Sequence, residues 1–115
     1  MLFRSVYTHP EVSGVGLSEE EARKRNVSYE ARSLPMAYAG RYVIENESVN
    51  GMCKILVGKE YGNILGIHVL GSPGSEIIFG GAMAIEQQLT IEEFQEIIFP
   101  HPTVSEIFKE TAFTK

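Results

Sequence analysis

A single cysteine, Cys53, occurs in these 115 residues, and tryptophan is absent. One thiol excludes an internal disulfide framework, and its simplest setting is a reducing cytoplasm. Long apolar runs are missing too. The longest extends only from Ile77 to Ile85, far short of the ~20 residues of a membrane span. No charged head followed by an apolar core opens the chain, so no secretory leader is expected. Cations are scarce: 10 Lys and Arg stand against 15 Asp and Glu, for a net charge of −5. No basic stripe tracks phosphates, which excludes nucleic acid and anionic membrane as partners.

Catalytic motifs are as thin. Gly14 and Gly16 begin a G-x-G, but no third glycine completes a dinucleotide fingerprint. There is no phosphate-cradling loop and no G-x-S-x-G. His9, His68 and His101 are far apart and in no metal-binding spacing, so no metal is expected. Any chemistry this chain joins must draw on groups from elsewhere.

What is present is ordinary globular composition, 43% hydrophobic and 22% charged, which argues against disorder. The length suits one domain spanning residues 1–115, with enough buried surface to need no staple. Asn26-Val27-Ser28 and Asn46-Glu47-Ser48 fit the glycosylation pattern; without signs of export they are read as chance.

Along the chain, Val6-Tyr7-Thr8 and Val12 to Val15 are short β-prone pieces divided by His9-Pro10. Ser18-Glu19-Glu20-Glu21 is a capping box and predicts a polar helix to about Asn26. Tyr29 to Met36 reads as a strand, and residues 37–47 as loop with some strand. Met52 to Val57 and Ile64 to Leu70, joined across Glu60-Tyr61-Gly62-Asn63, read as a hairpin. In its first strand Cys53, Ile55 and Val57 share a face. A turn at Gly71-Ser72-Pro73-Gly74 follows, and Ser75 is expected to cap a helix from Glu76 to about Gln88. Boxes at Thr90-Ile91-Glu92-Glu93 and Thr103-Val104-Ser105-Glu106 predict helices ending near Phe99-Pro100 and Thr111. Strands first and helices after define an α+β fold, an antiparallel sheet covered by helices on one face.

Two features rise above this background. The segment from Ile77 to Ile85 is apolar around most of a helix, whereas a surface helix carries one stripe. A buried core helix would read the same way, but a domain with one sheet cannot cover every side. An interface with another subunit or domain is the favoured reading. The second feature is Pro100-His101-Pro102-Thr103-Val104-Ser105-Glu106. Pro102 biases His101 to an extended conformation just before a helix. Glu106 is within reach of the imidazole, and a His–carboxylate pair is a general base near neutral pH. The capping box with Thr103 accounts for Glu106 equally well.

The stretch from His101 to Glu106 resembles the His-Pro-Thr-x-Ser-Glu signature at the end of dihydrolipoamide dehydrogenases. The likeness extends through Val6-Tyr7-Thr8-His9-Pro10-Glu11-Val12, Gly51 to Leu56, Ile64 to Gly71 and Ser75-Glu76-Ile77-Ile78. It identifies the chain as similar to the C-terminal dimerisation domain of the pyridine nucleotide-disulfide oxidoreductase family. By that resemblance the parent is a homodimer with its own FAD and NAD domains, and a lipoyl-bearing protein is its substrate. His101 would take a proton from the dihydrolipoamide thiol in the partner's active site, and the resulting thiolate attacks the redox disulfide. Glu106 would orient His101, whose main chain approaches the partner's flavin. FAD and NAD would belong to the parent and none to this chain. His9 and His68 are read as structural, and Cys53 is not the redox cysteine. One departure stands in Ile97-Ile98-Phe99-Pro100, where many relatives have small or polar residues. Two alternatives remain: a homo-association module without chemistry, and the same domain from another disulfide reductase such as glutathione reductase.

Overall fold

The computed structural model describes residues 3–6, 12–38, 51–71, 74–97, 99 and 104–114. Among the described residues, five strands form one sheet: β1 (Phe3–Val6), β2 (Val12–Gly16), β3 (Tyr29–Pro35), β4 (Met52–Gly58) and β5 (Ile64–Leu70). Their order is β1-β2-β5-β4-β3, and every neighbouring pair is antiparallel. The hairpin expected between β4 and β5 is the centre of the sheet. Gly62 sits in its turn at φ 70°, a left-handed conformation that glycine adopts without steric cost. The pairing of Phe3 with Val15 through Val6 with Val12 puts β1 earlier than the expected Val6-Tyr7-Thr8. Strand partners decide such registers more than local propensity does. Tyr7 to Pro10 lie outside the described residues, as do positions 39–50, which hold most of the expected loop. Met36–Tyr38 is a 3₁₀ turn.

Strand alternation assigns the faces. Ser13, Val15, Cys53, Ile55, Ile67 and Val69 point to one side and are buried. Val12, Gly14, Met52, Lys54, His68 and Leu70 point to the other. A register shift between Leu56 and Val57 breaks the alternation, so both are buried.

The first side carries α2 (Gly74–Glu86), α3 (Ile91–Gln95) and α4 (Glu106–Ala112). α2 lies on β5, β2 and β1, and α4 lies on β4 and β3. A methyl group on Gly81 would stand 3.1 Å from Ile67 Cδ1, so the missing side chain sets how closely α2 meets the sheet. Ile55, Ile67, Ile78, Phe94, Ile107 and Phe108 fill the layer between. Burying each contributes on the order of 1.5–3 kcal/mol.

The helix ends show where local chemistry prevails. Ser18 and Thr90 both make complete capping boxes, with Glu21 and Glu93. α2 ends at Glu86, two residues before Gln88, because Gln88 adopts φ 56°. Gln88 N–H then donates to Ile85 O and Leu89 N–H to Ala84 O, which closes the helix. α2 starts at Gly74, so Ser75 lies inside the helix rather than at its cap. α3 stops at Gln95, short of Phe99, and α4 begins at Glu106 instead of just after Thr103.

The short helix α1 (Glu19–Lys24) joins β2 to β3 and lies on the opposite side of the sheet from the other three. Lys54 Nζ donates to Glu19 Oε2 at 2.6 Å. The Tyr29 hydroxyl donates to Glu19 Oε1, and Arg23 donates to that hydroxyl. The helices α2 to α4 form the layer expected to cover one face of the antiparallel sheet, and α1 is an addition to it.

Candidate functional site

His101, Pro100, Pro102 and Thr103 lie outside the described residues, as does the capping box expected at Thr103. The residues on either side of them are fixed. Phe99 meets Phe94 edge-on at 5.8 Å between ring centroids, with the rings at 77°. Phe94 also contacts Phe108 of α4 at 6.4 Å. Such pairs contribute about 0.5–1.5 kcal/mol each beyond the area they bury. Val104 is buried in the same core. Phe99 and Val104, which flank residues 100–103 in the sequence, thus belong to one hydrophobic cluster. Phe99 belongs to the stretch that departs from the resemblance, and its packing gives the departure a physical role.

Glu106 is the first residue of α4 and is half-buried. A carboxylate there is favoured by the positive end of the helix dipole. Ser105, the residue before it, makes no side-chain cap. The far end of α4 is held from two directions. Arg32 of β3 donates through Nη1 to Ala112 O, and Gln95 of α3 donates to the same oxygen at 2.8 Å. Arg32 is only 16% exposed in its side chain and pairs through Nε with Glu30 Oε1 at 2.6 Å. The sequence reading passed over both residues. The signal was the alternation of β3, which directs Arg32, opposite Ile55, into the helix layer.

Cys53 is buried in β4 and its thiol is pushed up to about 12 by desolvation, only partly offset by a hydrogen bond with Thr111. A thiol so seldom ionised is a poor nucleophile. His68 bonds through Nε2 to Leu17 O at 2.8 Å. Its ring lies over Gly14, where a methyl group would come within 2.5 Å of Nδ1. Both readings of these residues as structural agree with their surroundings. His9 lies outside the described residues.

A cavity of about 550 Å³ opens on the α1 side of the sheet, lined by Val12, Gly14, Met52, Lys54, His68 and Leu70. Glu19, Glu20 and Glu21 form its rim. That acidic rim repels a pyrophosphate, and no glycine-rich strand-to-helix turn accompanies it. The lining of this cavity therefore does not fit FAD or NAD. Nor do they gather three metal-ligating side chains. No helix among them is long and apolar enough to cross a membrane.

Residues 2–112 match the family model described as pyridine nucleotide-disulphide oxidoreductase, dimerisation domain. The chain belongs to that family. It is 40% identical over 108 residues to dihydrolipoyl dehydrogenase 1, mitochondrial, of Arabidopsis thaliana, covering 93% of this chain and 21% of that protein. It is 37% identical over 105 residues to the human dihydrolipoyl dehydrogenase, mitochondrial, covering 91% and 20%. The chain thus spans about a fifth of the length of these relatives, which are oxidoreductases. Among solved structures, the HOCl-induced flavoprotein disulfide reductase RclA from Escherichia coli superposes with a TM-score of 0.89 at 28% identity, covering 96% of this chain and 25% of that one. LpdA from Mycobacterium tuberculosis shares the fold, with a TM-score of 0.87 at 24% identity over 96% of this chain and 24% of that one.

Proposed function

We propose that this chain is the interface domain of a flavin- and NAD-dependent dihydrolipoamide dehydrogenase, and that it joins a second copy through the outer face of α2. The observation that carries the reading is on that helix. Ile78, Gly81 and Ala84 turn toward the sheet and are buried. Phe79 and Met83, one turn apart, are 67% and 45% exposed. Gly80, next to Phe79, is exposed as well. An apolar stripe of this kind calls for a partner surface, and a two-fold dimer meets the need by setting the same patch on itself.

His101 and Glu106 are the acid/base pair in this proposal. His101 takes the proton from a dihydrolipoamide thiol, and Glu106 orients the imidazole and favours its cation. The likeness from His101 to Glu106, the packing of Phe99 and Val104 on either side of the histidine in the sequence, and the dihydrolipoyl dehydrogenases among the relatives support it. FAD, NAD and the redox disulfide are assigned to other domains of the parent, and the His101 main chain to the neighbourhood of the partner's flavin. The substrate is a lipoyl-bearing protein. A reducing compartment suits the lone thiol; we propose the cytoplasm, while the relatives' names specify mitochondria.

Sedimentation velocity across micromolar concentrations tests the association. The chain should be dimeric, and Phe79→Asp with Met83→Asp should make it monomeric. A wild-type chain that stays monomeric contradicts the proposal. A second reading, the same domain in another disulfide reductase, draws on the likeness to RclA. A full-length enzyme that reduces NAD with dihydrolipoamide excludes it.

A further inference from the structure

We propose that the outer face of α2 is a self-matching seam whose apolar middle draws two copies together while its acidic ends oppose them, so that salt sets the strength of the association. The inference rests on the reading of α2 as the surface between copies. Four exposed residues make the seam: Glu76, Phe79, Met83 and Glu86. Steps of three, four and three residues keep them on one stripe of the helix. The stripe has the same order from either end, acid, apolar, apolar, acid, about a midpoint level with Gly81.

A two-fold axis lays this stripe on a copy of itself. With the two helices antiparallel, Glu76 of one copy faces Glu86 of the other, and Phe79 faces Met83. With the helices parallel, each residue faces its own counterpart. Apolar meets apolar and acid meets acid in both cases. α2 contains no Lys or Arg to relieve this, and neither carboxylate makes an ion pair among the described residues. Glu86 is opposed further by the negative end of its own helix dipole. Burial of Phe79 and Met83 is a gain that salt leaves in place. Repulsion between exposed carboxylates is weak and fades with ionic strength, so the apolar middle prevails and the acidic ends grade the result. The ends also reject a wrong register. A slip of one helical turn sets a carboxylate on Phe79 or Met83, where it loses water and gains no partner.

Sedimentation equilibrium of the chain over a salt series tests this. From about 0.01 M to about 1 M sodium chloride the Debye length falls from about 30 Å to about 3 Å, and the dimer dissociation constant should fall about fivefold. Glu76→Gln with Glu86→Gln should tighten the dimer by about the same factor at low salt and leave little further response to salt. Glu60→Gln with Glu92→Gln removes the same net charge from exposed positions off the seam. That pair should change the constant by less than about twofold. Association that weakens with salt, or a Glu76 and Glu86 variant that associates less well, would mean that a cation of the other copy meets these carboxylates. Either would overturn the proposal. An equal gain in both double variants would overturn it too, because net charge rather than the seam would be responsible. If the Glu76 and Glu86 variant does not fold, the salt response of the wild type, retained in the Glu60 and Glu92 variant, carries the test. A wild-type chain that is monomeric at every salt concentration is a different result: it contradicts the reading of α2 as the surface between copies.

Discussion

Glu19 and Lys54 meet at 2.6 Å across two elements that the sequence separates widely, the first turn of α1 and the middle of β4. The Lys54 ammonium lowers the Glu19 carboxyl below its ordinary value by hydrogen bonding, against a smaller opposing effect of burial. A carboxyl lowered in the folded state stabilises it above the unfolded pKa, and the contribution disappears as pH falls through the folded value. Glu19→Gln should therefore lower the melting temperature slightly at pH 7 and leave it unchanged near pH 2. Because both side chains are about one-third exposed, salt should weaken the difference. Thermal melts of the two proteins from pH 2 to 8 check the sign. A Glu19→Gln protein as stable as wild type at neutral pH would show that the pair contributes nothing.

Cys53 should be inert in the native chain. Its thiol is buried and raised to about 12, so the thiolate that reacts is scarce and out of reach. A thiol reagent such as 5,5′-dithiobis(2-nitrobenzoate) at pH 8 should react only at the rate of unfolding, and at once in denaturant. Rapid labelling of the native chain would contradict the buried placement.

Gly66 makes the tightest backbone contact on β5. A methyl group there would come within 2.0 Å of Leu17 O, and neither partner is a flexible side-chain end. Gly66→Ala should destabilise the domain by about 1–3 kcal/mol, the usual range for overpacking. It should also loosen Leu17, whose carbonyl accepts from His68. Urea unfolding gives the size of the effect, and a neutral or stabilising result would contradict the close approach of the α1 entry to the sheet.

Some of this architecture was legible in the residues and some was not. Boxes at Ser18 and Thr90 were readable because both partners of each lie within one turn and need no tertiary context. The β4–β5 hairpin announced itself through β-branched runs around Gly62. The start of β1 was misplaced because its register depends on β2. The extent of α2 was overestimated at its end because the left-handed Gln88 is not a residue that advertises a stop. The run Ile77 to Ile85 reads as apolar around most of a helix, but only the structure separates the buried Ile78 from the exposed Phe79. Around the site, Glu106 was identified by motif. Phe99 and Arg32 act through partners distant in sequence, Phe94 and Ala112, which no local pattern couples.

The central claim is that His101 and Glu106 move a substrate proton. Steady-state dihydrolipoamide turnover against pH, in the full-length enzyme and its His101→Gln and Glu106→Gln variants, tests it most directly. His101→Gln should lower turnover by ~10²–10⁴-fold, the usual worth of positioned proton transfer, while flavin content and dimerisation persist. Glu106→Gln should cost less and lower the apparent pKa of the histidine, because a negative neighbour favours imidazolium. A capping role for Glu106 would leave Glu106→Gln almost silent, since glutamine serves a capping box as well. Turnover of His101→Gln close to wild type would contradict the account.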